Sequence, residues 1–172
     1  MYRHGRGVAQ NDEIAIMWYR KAAEQDLVVA QNSLGVMYRF GMGVKRNPKE
    51  GAYWLKRAAK QGYRKSQENI GLMLMQGDGI KQDNKEAAYW LTLAAQAGSA
   101  KAQLNLGLLY LSGSGVEKND TQAMTWISEA AKKGNKKAQL ALAKSYKDGL
   151  YGVEQDTNQA RLWYEKAGVP FQ

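Results

Sequence analysis

The sequence contains no cysteine, one histidine and two prolines among its 172 residues. Without cysteine it can form no disulfide, no thiolate zinc site and no cysteine nucleophile. The single histidine, His4, has no second metal ligand close to it in the sequence, so we expect a loop residue without chemistry there. No apolar run approaches the roughly 18 residues of a membrane-spanning helix. We therefore expect no membrane span, no metal and no cofactor.

Motifs that bind phosphate or activate a serine are missing as well. No Gly-x-Gly pair is followed by a third glycine three residues later, and no Gly-Lys pair is present for a P-loop. No serine is followed by lysine at the third position, which excludes the Ser-x-x-Lys pair of β-lactam enzymes. Because the carboxylates are scattered and histidine is almost absent, we expect a protein that is not an enzyme.

The composition is that of a folded, helical protein with a basic surface. Hydrophobic residues make up 44% of the chain, charged residues 24%, and the formal net charge is +9. The excess is concentrated in residues 27–62, which contain seven basic residues and one acidic residue. Such a surplus keeps open an alternative in which the chain binds nucleic acid or another polyanion.

Five tryptophans recur at a nearly constant interval. Successive members are separated by 36, 36, 36 and 37 residues, and pairs of glycines followed by valine or isoleucine recur in step with them. The tryptophans are Trp18, Trp54, Trp90, Trp126 and Trp163. An interval of this size indicates an array of two-helix units whose core is completed by stacking on neighbours. We predict that each tryptophan is a packing anchor between repeats.

One helix of each unit, helix B, carries the tryptophan. It is predicted to begin at a short polar side chain that caps free amides of its first turn. The predicted caps are Asn11, Asn47, Asp83, Asn119 and Asp156. In four of the five repeats a Glu or Gln follows three residues later, as in a capping box. Glycines such as Gly62, Gly98 and Gly134 are expected to end the helix in the left-handed conformation.

The other helix, helix A, lies between that glycine and the next glycine pair. Alanine or serine, then leucine or isoleucine, then usually glycine recur there at spacings that place them on one helical face. The leucine position is occupied by Leu34, Ile70, Leu106 and Leu142. The small residues beside it are predicted to be points of close contact between helices, because an exposed glycine inside a helix costs about 1 kcal/mol.

The combined pattern resembles the Sel-one-like repeat (SLR) family, which is related to tetratricopeptide repeats. The shared features are the paired glycines, the Asx cap, the tryptophan four residues before an alanine pair, and the helix A motif described above. Local departures are Leu74 in place of tyrosine, Ala143 in place of glycine, and Asp26 in place of the final glycine of helix B. The resemblance covers nearly the whole chain.

This resemblance implies an all-α fold, a right-handed superhelix of about nine helices, in which the A helices line a concave surface. It also implies a scaffold or adaptor that binds a protein or peptide, commonly in bacteria. Some cysteine-rich members have been linked to β-lactam binding or hydrolysis, which remains a weaker alternative here. The compartment, cytoplasmic or otherwise, is not indicated by the sequence.

The repeat boundaries are expected at fixed positions within one solenoid domain, 1–172. The first repeat is incomplete and contains helix B only, and three full repeats follow it. In the last repeat, Gly168 and Pro170 shorten helix B. The expected units are 1–26, 27–62, 63–98, 99–134 and 135–172. Because Tyr2 is in register with Tyr38, we expect either a fragment of a longer protein or an uncovered first helix that can associate with another copy.

The candidate partner surface consists of helix A residues outside the core registers. Its middle is apolar and its margins are basic, which suits apolar anchors and acidic flanks of a partner. Its predicted members are Asn32, Val36, Arg39, Lys65, Asn69, Leu72, Met75, Lys101, Asn105, Leu108, Leu111, Lys137 and Lys144. Two alternatives to partner binding are open. In one, the apolar members pack on the next A helix; in the other, the lysines form a solvated rim.

Overall fold

A computed structural model describes residues 12–171, with side chains from Ile14 onward. Within this range the chain forms nine α-helices, and no strand is present there. They are α1 (Asp12–Glu24), α2 (Val28–Phe40), α3 (Pro48–Lys60), α4 (Arg64–Gln76), α5 (Asn84–Gln96), α6 (Ala100–Ser112), α7 (Asp120–Lys132), α8 (Lys136–Asp148) and α9 (Thr157–Ala167). The even-numbered helices are the predicted A helices and the odd-numbered ones are the B helices.

Two compact units divide the chain between Asp83 and Asn84. In the first unit, α1 packs on α2, α2 on α3 and α3 on α4; in the second, each helix from α5 to α9 packs on the next. The core of the first unit includes Leu34, Met37 and Trp54, and that of the second includes Ile127 and Trp163. Each core is therefore built across consecutive helices, as a repeat fold requires.

The B helices begin at the predicted caps. The side-chain oxygens of Asn47, Asn119 and Asp156 accept from the amide three residues later, at 3.2, 2.9 and 2.9 Å. The backbone N–H of each of these caps donates to the last turn of the preceding A helix; Asn47, for example, donates to the carbonyl of Tyr38 at 2.8 Å. The cap therefore ends one loop and starts the next helix. The predicted cap Asn11 lies outside the described residues.

The capping box differs from the prediction at Glu50. A reciprocal box would use the N–H of Asn47, but that group already donates to Tyr38. Glu50 Oε1 instead accepts from Trp54 Nε1 at 2.9 Å, and Glu86 Oε1 accepts from Trp90 Nε1 at 3.1 Å in the next repeat. The glutamate thus satisfies an indole donor that burial removes from water.

The turns from helix B to helix A use the left-handed conformation, as predicted. Gly62, Gly98 and Gly134 have φ values of 82°, 87° and 81°. Asp26, which replaces the glycine in the first repeat, has a φ of 60°. Aspartate tolerates this region better than most residues because its short side chain can bond locally, and the geometry of the turn is kept.

Close approach of the two helices explains the small residues of helix A. A Cβ atom added to Gly35 would lie 2.7 Å from Leu55 Cγ, and one added to Gly107 would lie 2.7 Å from Ile127 Cγ1. Both distances are far below van der Waals contact between carbon atoms. The prediction that these glycines mark helix contacts is confirmed.

The tryptophans do not all play the predicted part. Trp54, Trp90 and Trp163 are buried, with 6 to 8% of their surface exposed, and Trp126 is half-buried. Trp18 is 58% exposed, so its prediction as a packing anchor is wrong in this structure. Trp54 packs among residues of α1 and α2, which precede it. In the part of the chain that the structure describes, no helix precedes α1 to cover Trp18 in the same way.

Candidate partner-binding surface

One face of each A helix lies mostly outside the core. It consists of four residues in each helix: those at five residues and one residue before the buried leucine position, and those at two and six residues after it. Successive members are therefore four, three and four residues apart. We call this face the A row. On α6 it consists of Lys101, Asn105, Leu108 and Ser112, all exposed or half-buried. On α8 it consists of Lys137, Ala141, Lys144 and Asp148, which are exposed except for the half-buried Ala141.

The predicted surface residues fall into three groups by exposure. Lys65, Lys101, Leu108, Lys137 and Lys144 are exposed, whereas Asn32, Val36, Asn69, Met75, Asn105 and Leu111 are half-buried, and Arg39 and Leu72 are buried. The exposed residues are all members of the A row. Leu72 also has an A-row register but is only 6% exposed, so its side chain is not available to a partner in this structure.

Arg39 is engaged within the molecule. Its Nε donates to Asp78 Oδ2 at 2.8 Å and its Nη2 donates to Gln76 Oε1 at 3.3 Å. The other oxygen of Asp78 accepts from Arg46 at 2.7 Å. This arrangement links α2 to the end of α4 and the loop that follows. A buried guanidinium with these bonds holds two repeats together and is not free for an acidic partner.

Several half-buried members also have internal partners. Asn32 Oδ1 accepts from Ser66 Oγ at 2.9 Å, and Asn105 Nδ2 donates to the carbonyl of Lys101 at 2.7 Å. Leu111 packs against the core of the second unit. Arg39 and Leu111, which both lie five residues after a leucine position, therefore contribute to packing within the molecule.

Two further apolar residues of α2 belong to the A row, and sequence reasoning missed one of them, Phe40. Val29 is 50% exposed and Phe40 is 56% exposed, and both occupy A-row registers together with Val36. The guanidinium of Arg39 lies over the Phe40 ring, 5.0 Å from its centroid. The helical spacing that indicated the other members would also have identified Phe40, which lies four residues after Val36.

A second missed set is a row of buried glutamines three residues before the leucine position. Each donates from Nε2 to a carbonyl of the preceding B helix, at distances of 3.1 to 3.3 Å. The four are Gln31, Gln67, Gln103 and Gln139, each at most 6% exposed. Their 36-residue spacing is visible in the sequence. They fix helix A against the end of helix B, where the last carbonyls have no helical partner.

The side-chain oxygen of the first of these glutamines has a hydrogen-bond donor, whereas that of the third has none among the described residues. Gln31 Oε1 accepts from Gln61 Nε2 at 2.8 Å. Gln103 Oε1 is buried without a hydrogen-bond partner among the described residues, and Lys133 stands where Gln61 stands in the earlier repeat. Lys133 Nζ donates to the carbonyl of Gly98 at 3.2 Å, but this bond is exposed. We expect Lys133→Gln to raise the free energy of unfolding by about 1 kcal/mol, because the gain of a donor by a buried acceptor outweighs the loss of an exposed bond. Urea unfolding followed by circular dichroism measures this difference.

Lys136→Gln provides the matched control for that substitution. Lys136 is exposed at the start of α8, so the same loss of one lysine there should leave stability within about 0.5 kcal/mol of the parent. Equal effects of the two substitutions would mean that removal of positive charge, and not a bond to Gln103, is responsible.

The described residues contain no cluster of three or more histidine, cysteine, aspartate or glutamate side chains that could hold a metal ion. None of the helices in that range is long and apolar enough to cross a membrane. The side chains of the A row that the structure exposes or half-buries are mostly apolar groups, amides and lysines.

Paired helices that recur at a 36-residue interval, with a solvent-facing row on the A helices, define a helical repeat protein. The Sel1 repeat model matches residues 1–27, 28–63, 64–99, 100–135 and 136–168. The chain belongs to the Sel1 repeat family, and the all-α repeat fold expected from the sequence is confirmed. Proteins of this family generally mediate protein–protein interactions and are generally not enzymes.

Solved structures show the same fold. A protective antigen of uropathogenic Escherichia coli with an SLR fold is 38% identical, with a TM-score of 0.92 over 97% of this chain and 36% of its own. A Sel1 repeat protein from Oxalobacter formigenes is 37% identical, with a TM-score of 0.90 over 97% of this chain and 68% of its own. This chain thus spans about a third of the first relative and two thirds of the second. No curated protein gave a match.

A more distant likeness concerns the fold alone. Cysteine-rich protein B of Helicobacter pylori is 24% identical, with a TM-score of 0.58 over 75% of this chain and 92% of its own. The present chain contains no cysteine. The buried glutamines and the close glycine contacts described above link its A and B helices.

Proposed function

We propose that this chain is a non-enzymatic scaffold that binds a peptide or a folded protein along the A row. The observation that supports this proposal is the exposure of the A row, which includes apolar side chains on helices whose opposite faces are buried. Leu108 is 43% exposed and Phe40 is 56% exposed, although both lie on helices that form the core. Exposed apolar side chains that share one helical register and lie beside amides and lysines fit the apolar centre and polar rim of a binding surface.

The lysines of the A row suit acidic flanks of the partner. Lys65, Lys101, Lys137 and Lys144 are exposed at or near the ends of the row. Exposed charges of this kind raise the rate of encounter and select partners by complementarity, and they add little to affinity individually. The apolar members are accordingly expected to provide most of the binding free energy.

Leu108→Asp tests the proposal. A charge at the centre of an apolar contact cannot be buried without a large desolvation cost, so we expect at least a tenfold loss of partner capture from the native cell, equivalent to about 1.4 kcal/mol. Because Leu108 is exposed, helix content and thermal stability should stay close to those of the parent. Quantitative affinity capture, with circular dichroism of each variant, measures both properties.

Leu162→Asp is the matched control. Leu162 is 40% exposed, nearly the same as Leu108, but it lies on α9, a B helix. The A row is the wrong surface if both substitutions reduce capture equally, or if Leu108→Asp captures the same partners at the same level as the parent.

Nucleic-acid binding is the alternative that the net charge of +9 supports. An oligonucleotide shift assay at two salt concentrations distinguishes it from the proposed function. Release of counterions from phosphates makes the affinity fall steeply with salt. The alternative would be favoured if the oligonucleotide binds tightly, if its affinity falls steeply with salt, and if Leu108→Asp does not change that affinity.

A further inference from the structure

Helix α9 carries a charged residue at a register that is apolar in every other B helix. Arg161 is exposed, whereas its four equivalents are at most 8% exposed. These equivalents are Ile16, Ala52, Ala88 and Met124. Met124 contacts the A helix that follows it, since its Sδ accepts from Ser145 Oγ at 3.7 Å. The Arg161 register is therefore one at which a B helix meets the next A helix.

The register of Tyr164 is also incompletely covered on α9. Its equivalents in α3, α5 and α7 are Leu55, Leu91 and Ile127, each at most 1% exposed, whereas Tyr164 is half-buried. Ile127 lies against Gly107 of the preceding A helix and shares a core with Leu142 of the following one. The fourth equivalent, Tyr19 on α1, is half-buried too. Full burial at this register thus needs an A helix on both sides.

Arg161 and Tyr164 together form a surface that we call the α9 face. In the part of the chain that the structure describes, residues 169–171 and not a further helix cover this face. The Phe171 ring meets that of Tyr164 edge to face, with centroids 5.8 Å apart. The Arg161 guanidinium lies 5.5 Å from the centroid of the Phe171 ring, and Lys147 Nζ lies 5.8 Å from it. We call residues 169–171 the strap.

The strap covers the α9 face without close packing. A cavity of about 200 Å³ remains open beside it and is lined by Lys147, Tyr164, Val169 and Pro170. Val169 and Pro170 are exposed. Cation–π and edge-to-face contacts such as those of Phe171 are individually weak. A helix that buries more apolar surface on the α9 face is therefore able to displace the strap.

We propose that the α9 face binds an amphipathic helix of a partner protein, and that the strap is an autoinhibitory contact which this helix displaces. The packing of α8 on α7 gives the register, because Arg161 occupies the position of Met124. The partner residue across from Arg161 is then the equivalent of Ser145, three residues after the leucine position. A carboxylate there would pair with the guanidinium.

The expected partner helix thus has two features. It carries the small residue, leucine and glycine of an A helix, which allow close approach to a B helix, and it carries Asp or Glu three residues after the leucine. Because this surface lies on a B helix, it is separate from the A row. The proposal therefore adds a second binding surface to the proposed function.

Helix-stabilised peptides test this proposal. The probe is a fluorescent peptide with the sequence of residues 63–77, an A helix in which Met73 has the register of Ser145. A lactam bridge between outward-facing positions keeps this short peptide helical. One version carries Met73→Glu and the matched version carries Met73→Lys. Fluorescence anisotropy measures the binding of each to the protein.

We expect Phe171→Ala to bind the glutamate peptide at least tenfold more tightly than the parent does, because the ring no longer competes for the α9 face. The same variant should bind the lysine peptide at least tenfold more weakly than the glutamate peptide, since Arg161 repels a lysine. Leu162→Ala is the control for the loss of an apolar side chain. It removes an exposed residue of α9 and should not increase peptide binding.

Two variants of equal charge locate the contact. In the Phe171→Ala background, Arg161→Gln should weaken binding of the glutamate peptide about tenfold. Lys166→Gln removes the same charge from another exposed position of α9 and should change the affinity by less than about twofold. Circular dichroism verifies that each variant is folded.

The opposite results would overturn the proposal. If the parent and Phe171→Ala bind the glutamate peptide equally, the strap does not inhibit. Equal binding of the two peptides, or equal losses with Arg161→Gln and Lys166→Gln, would exclude a carboxylate across from Arg161. In sedimentation velocity we expect Phe171→Ala to keep the oligomeric state of the parent; a new dimer that excludes the peptide would assign the α9 face to a second copy. Leu108→Asp should leave peptide binding unchanged, so the test is independent of the A row.

Discussion

Replacing Trp90 with alanine should lower the free energy of unfolding by about 3 to 5 kcal/mol. Trp90 is 6% exposed, and its indole N–H donates to Glu86 at 3.1 Å. The substitution leaves a cavity between packed helices and also removes the hydrogen bond from the indole to the half-buried Glu86. Urea unfolding measures this loss of free energy when it is followed by far-ultraviolet circular dichroism, since that signal reports directly on helix content.

Trp18→Ala is the control for this prediction. The residue type and the repeat register are the same, but 58% of the Trp18 surface is exposed, and its ring is contacted by Lys21 at 5.2 Å. We expect its removal to cost less than about 1 kcal/mol, since little apolar surface is returned to water. Similar losses at the two positions would contradict this prediction and would mean that Trp18 is buried in solution.

Gly115→Ala should destabilise the second unit by about 2 to 5 kcal/mol. Gly115 has a φ of 77°, which costs an L-residue about 1 to 2 kcal/mol. A Cβ atom there would also lie 2.2 Å from the carbonyl carbon of Asn84 and 2.6 Å from the nitrogen of Lys85. Because these are backbone atoms at the start of α5, the loop must move away, and an overpacking cost of about 1 to 3 kcal/mol is added.

Gly152 allows the two contributions to be separated. It has a similar φ of 74°, but nothing lies within 4 Å of its Cβ position. Gly152→Ala should therefore show the conformational cost alone, about 1 to 2 kcal/mol. If the two substitutions were equally destabilising in urea unfolding, the contact between the Gly115 loop and α5 would have no energetic weight.

The periodic features were predictable because each of them is encoded locally. An Asn or Asp side chain reaches an amide three residues away, as at Asn47 and Asn119, and a glycine at a helix end adopts positive φ within a single residue. These interactions depend little on the rest of the fold. The sequence pattern therefore predicted where helices start and stop.

The roles of individual surface residues were less predictable. Arg39 and Asp78 are 39 residues apart, and their pairing depends on how two repeats meet. Arg39 and Leu111 occupy equivalent positions in their repeats, and both were predicted to be surface residues. Leu111 nevertheless packs against the core of the second unit. Periodicity identifies equivalent positions, but it does not show which of them a neighbouring helix covers.

By itself, the sequence determined the repeat length, the helix boundaries, the family and the absence of thiol chemistry. The tertiary structure alone decided that Trp18 is exposed while Trp54 is buried, that Leu72 is withdrawn from the A row, and that four buried glutamines fasten each A helix to the preceding B helix. The physical reason is the separation along the sequence of the groups that interact. Caps and turns are satisfied within a few residues, whereas burial and long-range hydrogen bonds exist only after separate repeats have packed together.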